Sequence, residues 1–141
     1  MSQENVELVR SIYAAWERGD FSSAAWAHPE IEYVQVEGPE PGVWTGLAGM
    51  AEGTRDFLSS WKEFRIEAEE YRALDGERVL VLQRHSGRGK TSGVDVGQTW
   101  ATGASVFHVG AGKVKRLVGY FDRERALADL GLSEQDAHAD S

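Results

Sequence analysis

The sequence predicts an α+β domain: a cone-shaped, curved antiparallel β-sheet, three helices from the N-terminal half packed on its concave face, and a short C-terminal helix. Three observations predict it. Apolar residues over positions 1–61 recur mainly at helical spacing, interrupted by one strand-like run at 31–36. From Phe64 onward the period becomes that of strands, with Asp75-Gly76 and the "GAGK" of 110–113 as turns between apolar runs. A last strand-like run then meets a helical pattern at Asp122. Helices segregated from a meander of strands belong to this class, and a cone leaves an interior that can be a pocket.

The first helix spans residues 4–18. Val6, Val9, Tyr13 and Trp16 recur at helical spacing, and Leu8 and Ile12 widen the stripe. Ser2 is placed to cap it; Glu4 and Glu7 suit the positive end of the dipole and Arg18 the negative end. Gly19 suits a left-handed stop. Asp20 then reads as the cap of a second, short helix through Trp26. His28-Pro29 ends it, because the residue before proline avoids the helical region. Residues 31–36 are a strand, and "EGPEPG" at 37–42 is a loop. The third helix spans 47–61, with Leu47, Met50, Thr54, Phe57, Leu58 and Trp61 as its stripe. Gly49 and Gly53 weaken it by roughly 1 kcal/mol each relative to alanine. Their spacing puts them on one face, where a neighbour can pack close.

Strands follow at 64–74, 77–85, 94–109 and 114–121. The segment 86–93 between them reads as a flexible or bulged surface turn. Its "GRGKTSG" lacks the spacing and the strand–loop–helix setting of a phosphate-binding loop. Asp122 opens a closing helix that ends at Gly131. One domain over residues 1–132 is expected, followed by a polar, acidic tail at 133–141 expected to be disordered.

Composition narrows the function classes. The chain has 141 residues and 41% apolar content, enough for one core without staples. It has no cysteine, so disulfides and thiolate metal sites are excluded. His28, His85, His108 and His138 are too scattered for a paired metal motif, and no metal or cofactor is expected. The N-terminus lacks the basic and apolar blocks of a signal peptide, and no apolar run approaches the ~20 residues that span a membrane. A cytoplasmic protein without membrane partners is expected. The net charge of −8 would repel a phosphate backbone, which argues against nucleic acid.

Four segments carry a family resemblance: "VELVRSIYAAWERGD", "WTGLAGM", "LDGERVLVLQRHSGRGKTSG" and "GKVKRLVGYFDRERALADLGL". Together they resemble the SnoaL-like (polyketide cyclase-like) family of the nuclear transport factor 2-like fold, over residues 3–132. The resemblance implies a cone-shaped cavity and, commonly, a homodimer through the outer sheet face. It does not imply one activity. Members include polyketide cyclases, ketosteroid isomerases, limonene-type epoxide hydrolases, dehydratases and binding proteins, so function has to come from the site.

Asp122 has two readings: a general base with its pKa raised by a cavity, or a helix N-cap. Arg84 and His85 lie on opposite faces of one strand. The alternations Leu80, Leu82, Arg84 and Val79, Val81, Gln83, His85 are equally apolar at their starts, so periodicity leaves open which faces inward. His85 would serve as acid or base near neutral pH, and Arg84 or Tyr33 would orient a carbonyl. The epoxide-hydrolase pattern needs aspartates where this chain has Gly119 and Ser86, so that activity is not expected. Tyr13 matches the tyrosine of the ketosteroid isomerases, but no acid stands within the 99–109 strand to complete their set. The aromatic residues are expected to line the cavity. They are Tyr13, Trp16, Trp26, Tyr33 and Trp44 in the first part of the chain, and Phe57, Trp61, Trp100, Phe107 and Tyr120 in the rest. The expected function is binding of a small, largely apolar molecule; the alternative is isomerase or cyclase chemistry by proton transfer beside a carbonyl.

Overall fold

A computed structural model describes residues 2–21, 23–36, 41–59, 61–91 and 94–132, with the side chains of 2, 61–63, 88–91 and 94–101 outside the description. The first apolar stripe forms α1, Ser2–Glu17. It stops at Gly19, whose φ of 83° closes the turn with Gly19 N–H donating to Trp16 O at 2.9 Å.

The helix expected after Asp20 does not form: residues 20, 21 and 23–26 contain no helical residue. β1 instead begins at Ala27 and runs to Gln35, taking in His28-Pro29. The restriction that proline places on His28 favours strand as readily as it ends a helix. Val114 N–H also draws the segment onto the sheet by donating to Trp26 O at 2.9 Å. A short strand that the sequence did not reveal, β2 (Gly42–Thr45), pairs antiparallel with β1 and sets Trp44 opposite Tyr33. Most of the expected 37–42 loop lies outside the described residues.

The remaining elements are α2 (Gly46–Ser59), β3 (Trp61–Ala73), β4 (Arg78–Thr91), β5 (Val94–Gly110), β6 (Lys113–Tyr120) and α3 (Arg123–Asp129). β4 runs six residues past its expected end at 85, so the described part of 86–93 is strand and not a surface turn; a register shift between Arg88 and Lys90 supplies the bulge. The six strands lie in the order β2-β1-β6-β5-β4-β3. The α+β class and the curved sheet are as expected, with two corrections. Among the described residues the N-terminal half holds two helices, not three. The sheet is mixed: β6 returns beside β1 and pairs with it in parallel, while the other pairs are antiparallel.

Strand alternation divides the core. Val79, Val81, Phe107, Leu117, Ile31 and Tyr33 face α1 and α2, with Val9, Ile12 and Tyr13 packed on them. Leu80, Leu82, Ala104, Val106, Val118 and Tyr120 group with Ala126 and Leu127 of α3. α3 therefore covers the opposite face of the sheet.

The expected close approach at Gly49 and Gly53 is made by Trp44. A Cβ on Gly53 would lie 2.6 Å from the indole ring, whereas one on Gly49 would sit at an ordinary 3.6 Å. The two glycines should therefore respond with opposite signs. Gly49→Ala should stabilise by up to about 1 kcal/mol through helix propensity. Gly53→Ala should destabilise by about 1–3 kcal/mol through overpacking. Urea unfolding of both variants measures the difference.

Candidate functional site

The inward rows of the sheet change character along their length. β4 presents Val79 and Val81, then Gln83 and His85; β6 presents Leu117, then Gly119; β1 presents Ile31, then Tyr33 and Gln35. At the apolar end α1 closes on the sheet. At the polar end the helices stand off, and a cavity of about 710 Å³ remains between the sheet, α2 and residues 19–21 and 23–26. Its walls are rings: Trp16, Phe21, Trp26, Phe57, Phe64 and Phe121. Trp26 turns its indole N–H away to Ser23 O at 3.0 Å, which leaves the ring as apolar wall.

The cavity floor is polar and buried. Gln83, His85 and Ser105 are 3%, 5% and 5% exposed, so each polar atom there needs a partner. The Tyr13 hydroxyl donates to Gln83 Oε1, and Ser105 Oγ donates to the same oxygen at 3.1 Å. With both donors on Oε1, the amide nitrogen of Gln83 faces His85 Nε2, at 3.2 Å. In this orientation of the amide Nε2 accepts, and the imidazole proton falls on Nδ1, a buried atom that makes no hydrogen bond among the described residues. The ring is stacked on Phe121, with centroids 4.6 Å apart. Gly103 makes room for it: a Cβ there would lie 2.7 Å from His85 Cε1 and 2.3 Å from Tyr120 O. A second polar pair lies on β1, where Gln35 Nε2 donates to Tyr33 OH at 2.5 Å. Gly119 leaves space for the Gln35 carbonyl, since a Cβ would approach Oε1 to 2.9 Å. Burial raises the pKa of both Tyr13 and Tyr33, which keeps these phenols neutral.

Exposure separates mouth from floor. The exposed lining residues are Gly19, Ser23, Ala51, Arg55 and Ser59. Ala51, Arg55 and Ser59 form a row along one face of α2 at the opening. Among the described residues the lining holds no aspartate or glutamate, and Arg55 is its one permanently charged group.

The SnoaL-like domain model matches residues 9–117. The chain belongs to the SnoaL-like family. No curated protein sequence matches it. Solved structures share its fold. TerC, co-crystallized with polyporic acid, is 22% identical with a TM-score of 0.70, over 92% of this chain and 97% of that one. An NTF2-like protein from Burkholderia thailandensis E264 is 23% identical with a TM-score of 0.72, over 83% and 89%. A protein assigned as a SnoaL-like polyketide cyclase from Jannaschia sp. CCS1 is 14% identical with a TM-score of 0.72, over 99% and 94%. At these identities the likeness establishes the fold alone.

In this SnoaL-like chain the residues singled out from sequence have the following places. His85 lines the cavity, which settles the register of β4, and Arg84 lies on the outer face, 3.4 Å from Glu67. Asp122 is exposed and outside the lining. It caps α3, its Oδ1 accepting from Glu124 N–H at 3.0 Å. Trp16, Trp26, Tyr33, Phe57 and Tyr120 line the cavity. Tyr13 and Phe107 are fully buried behind the lining. Trp44 packs on Gly53 and Tyr33 instead. The side chains of Trp61 and Trp100 lie outside the described residues.

Gln35, Ser105 and the ring residues Phe21, Phe64 and Phe121 were not expected on the lining; Gln83 entered only as a position in the strand alternation, and Gly119 only as the site of a missing aspartate. One signal was available: Tyr13 stands mid-stripe on a buried helix face, and a buried hydroxyl demands a partner from the sheet.

Long-range ¹⁵N–¹H spectra should show the His85 Nε2 without a proton, and Gln83→Leu should release that tautomer; a proton on Nε2 in the wild type would mean that the Gln83 amide is reversed. Asp122→Ala should lower stability to urea by about 1 kcal/mol, the usual cost of a lost N-cap, and leave ligand uptake unchanged.

Proposed function

We propose that this chain binds a small, flat, largely apolar molecule, with the rings enclosing its body and the floor amides, hydroxyls and imidazole meeting a polar edge. The observation that carries this reading is the make-up of the lining. Aromatic walls surround a polar floor of amides, hydroxyls and an imidazole, and no carboxylate among the described residues faces the space. Such a site can orient a ligand at little cost, because its polar groups are already held in place. The co-crystallization of TerC with polyporic acid supports this use of the fold.

Proton transfer beside a carbonyl is the second reading, favoured by a buried imidazole in the cavity. It would require His85 as base, with Tyr33 orienting the carbonyl. The bond from the Gln83 amide occupies the Nε2 lone pair, which makes binding without chemistry the stronger reading.

A cytoplasmic homodimer is part of the proposal on the family resemblance. Its outer sheet face is partly covered by α3, and the rest carries the Arg84–Glu67 and Arg116–Glu32 pairs. A contact there would be polar. Among the described residues, no helix is long and apolar enough to cross a membrane.

Trp16 and Trp26 line the cavity, so their fluorescence should report occupancy. Naphthols and anthraquinones should quench it saturably. Ala51→Trp, at the exposed mouth, should abolish saturable binding without changing the circular dichroism spectrum. Saturable binding that survives Ala51→Trp would place the site elsewhere.

A further inference from the structure

The chain is acidic, with 23 acidic and 15 basic side chains. Acids placed without regard to the cavity would be expected on its lining, yet among the described residues none is there. The one permanent charge is a cation, Arg55. On α2 the acids Glu52 and Asp56 flank Arg55 in sequence, but neither belongs to the lining. Among the described residues no ion pair engages Arg55. Arg55 is exposed and on the lining, in the row Ala51, Arg55, Ser59 at the mouth and not on the buried floor.

Two ligand classes suit an aromatic enclosure. A cation gains from the faces of tryptophan, tyrosine and phenylalanine rings. A neutral or anionic aromatic gains from stacking and apolar burial. The charge pattern separates them. A cation would enter past Arg55 and find no carboxylate on the lining to balance it. An anionic group remaining at the mouth would face an arginine whose planar fork matches a carboxylate or an enolate.

We infer that the molecule taken up by the cavity carries an anionic group, such as a carboxylate or an ionised enol, which stays at the mouth against Arg55 while its apolar body lies among the rings. This rests on the binding reading above and names the class of ligand for the same site.

Three probes of one shape test it by isothermal titration calorimetry: anthracene-9-carboxylate, its carboxamide, and an anthracene bearing a trimethylammoniomethyl group at the same position. The carboxylate should bind about five-fold more tightly than the amide at low salt, the gain of an exposed ion pair, and the cation weakest. Arg55→Gln should remove the preference for the carboxylate. Arg116→Gln, which removes the same charge from the outer face, should keep it. Equal binding of carboxylate and amide, tightest binding of the cation, or a preference that survives Arg55→Gln would each overturn the anionic assignment while leaving the binding reading standing. If none of the three binds, both fall.

Discussion

Gln83 is the constraint on which the site depends. Its side chain is 3% exposed and carries a carbonyl oxygen and an amide nitrogen, neither of which can look to solvent. Tyr13 from α1, Ser105 from β5 and His85 from its own strand all meet it. An amide in which each end has a partner cannot turn over without breaking bonds at both ends. The register of β4 against β5, the depth of α1 and the tautomer of His85 are thereby tied to one side chain. Moving any one of them strands a buried polar atom, at a cost of about 1–3 kcal/mol.

The outer face contributes to the same place. Arg123, at the start of α3, is 14% exposed and reaches over the sheet. Its guanidinium donates to Gln83 O at 3.1 Å and to Gly103 O at 3.4 Å, and pairs with Glu69 at 2.5 Å. The backbone of Gln83 is therefore held from one side while its side chain is held from the other. Asp122 positions this clamp by capping the helix that begins at Arg123. Its contribution to the site is indirect, through the start of α3, and its carboxylate has no place on the cavity wall.

What the sequence made legible follows from the range of the interactions concerned. The period of three and four in Val6–Trp16, the Asp75-Gly76 turn and the cap at Asp122 are local signals, and the elements they mark are in the structure. The helix expected at 20–26 failed because Trp26 and Ala27 answer to β6, nearly ninety positions along the chain, and not to Asp20. The parallel pairing of β1 with β6 is equally invisible to local pattern. Within the site, His85 was legible as a candidate, but the β4 register that turns it inward is fixed by partners on α1 and β5. Gln83 shared that undecided register, and Gln35 was not singled out, because a neutral amide in a strand reads as solvent-facing until the hydroxyl that satisfies it is found.

The floor's neutrality then bears on the choice between holding a ligand and changing one. Taking a proton from carbon requires a lone pair that is available when the substrate arrives, and a charge that can be tolerated afterwards. Here the His85 lone pair at Nε2 faces a donor that is itself anchored by two hydroxyls. The imidazolium formed by proton uptake would bring an N–H against the N–H of Gln83, and no lining carboxylate among the described residues would offset its charge. The two buried phenols stay protonated because burial raises their pKa values. Among the described residues the floor thus holds two phenols kept uncharged and no carboxylate beside the imidazole. That arrangement is suited to recognising the shape and edge of a molecule, and it opposes the separation of charge that proton transfer needs.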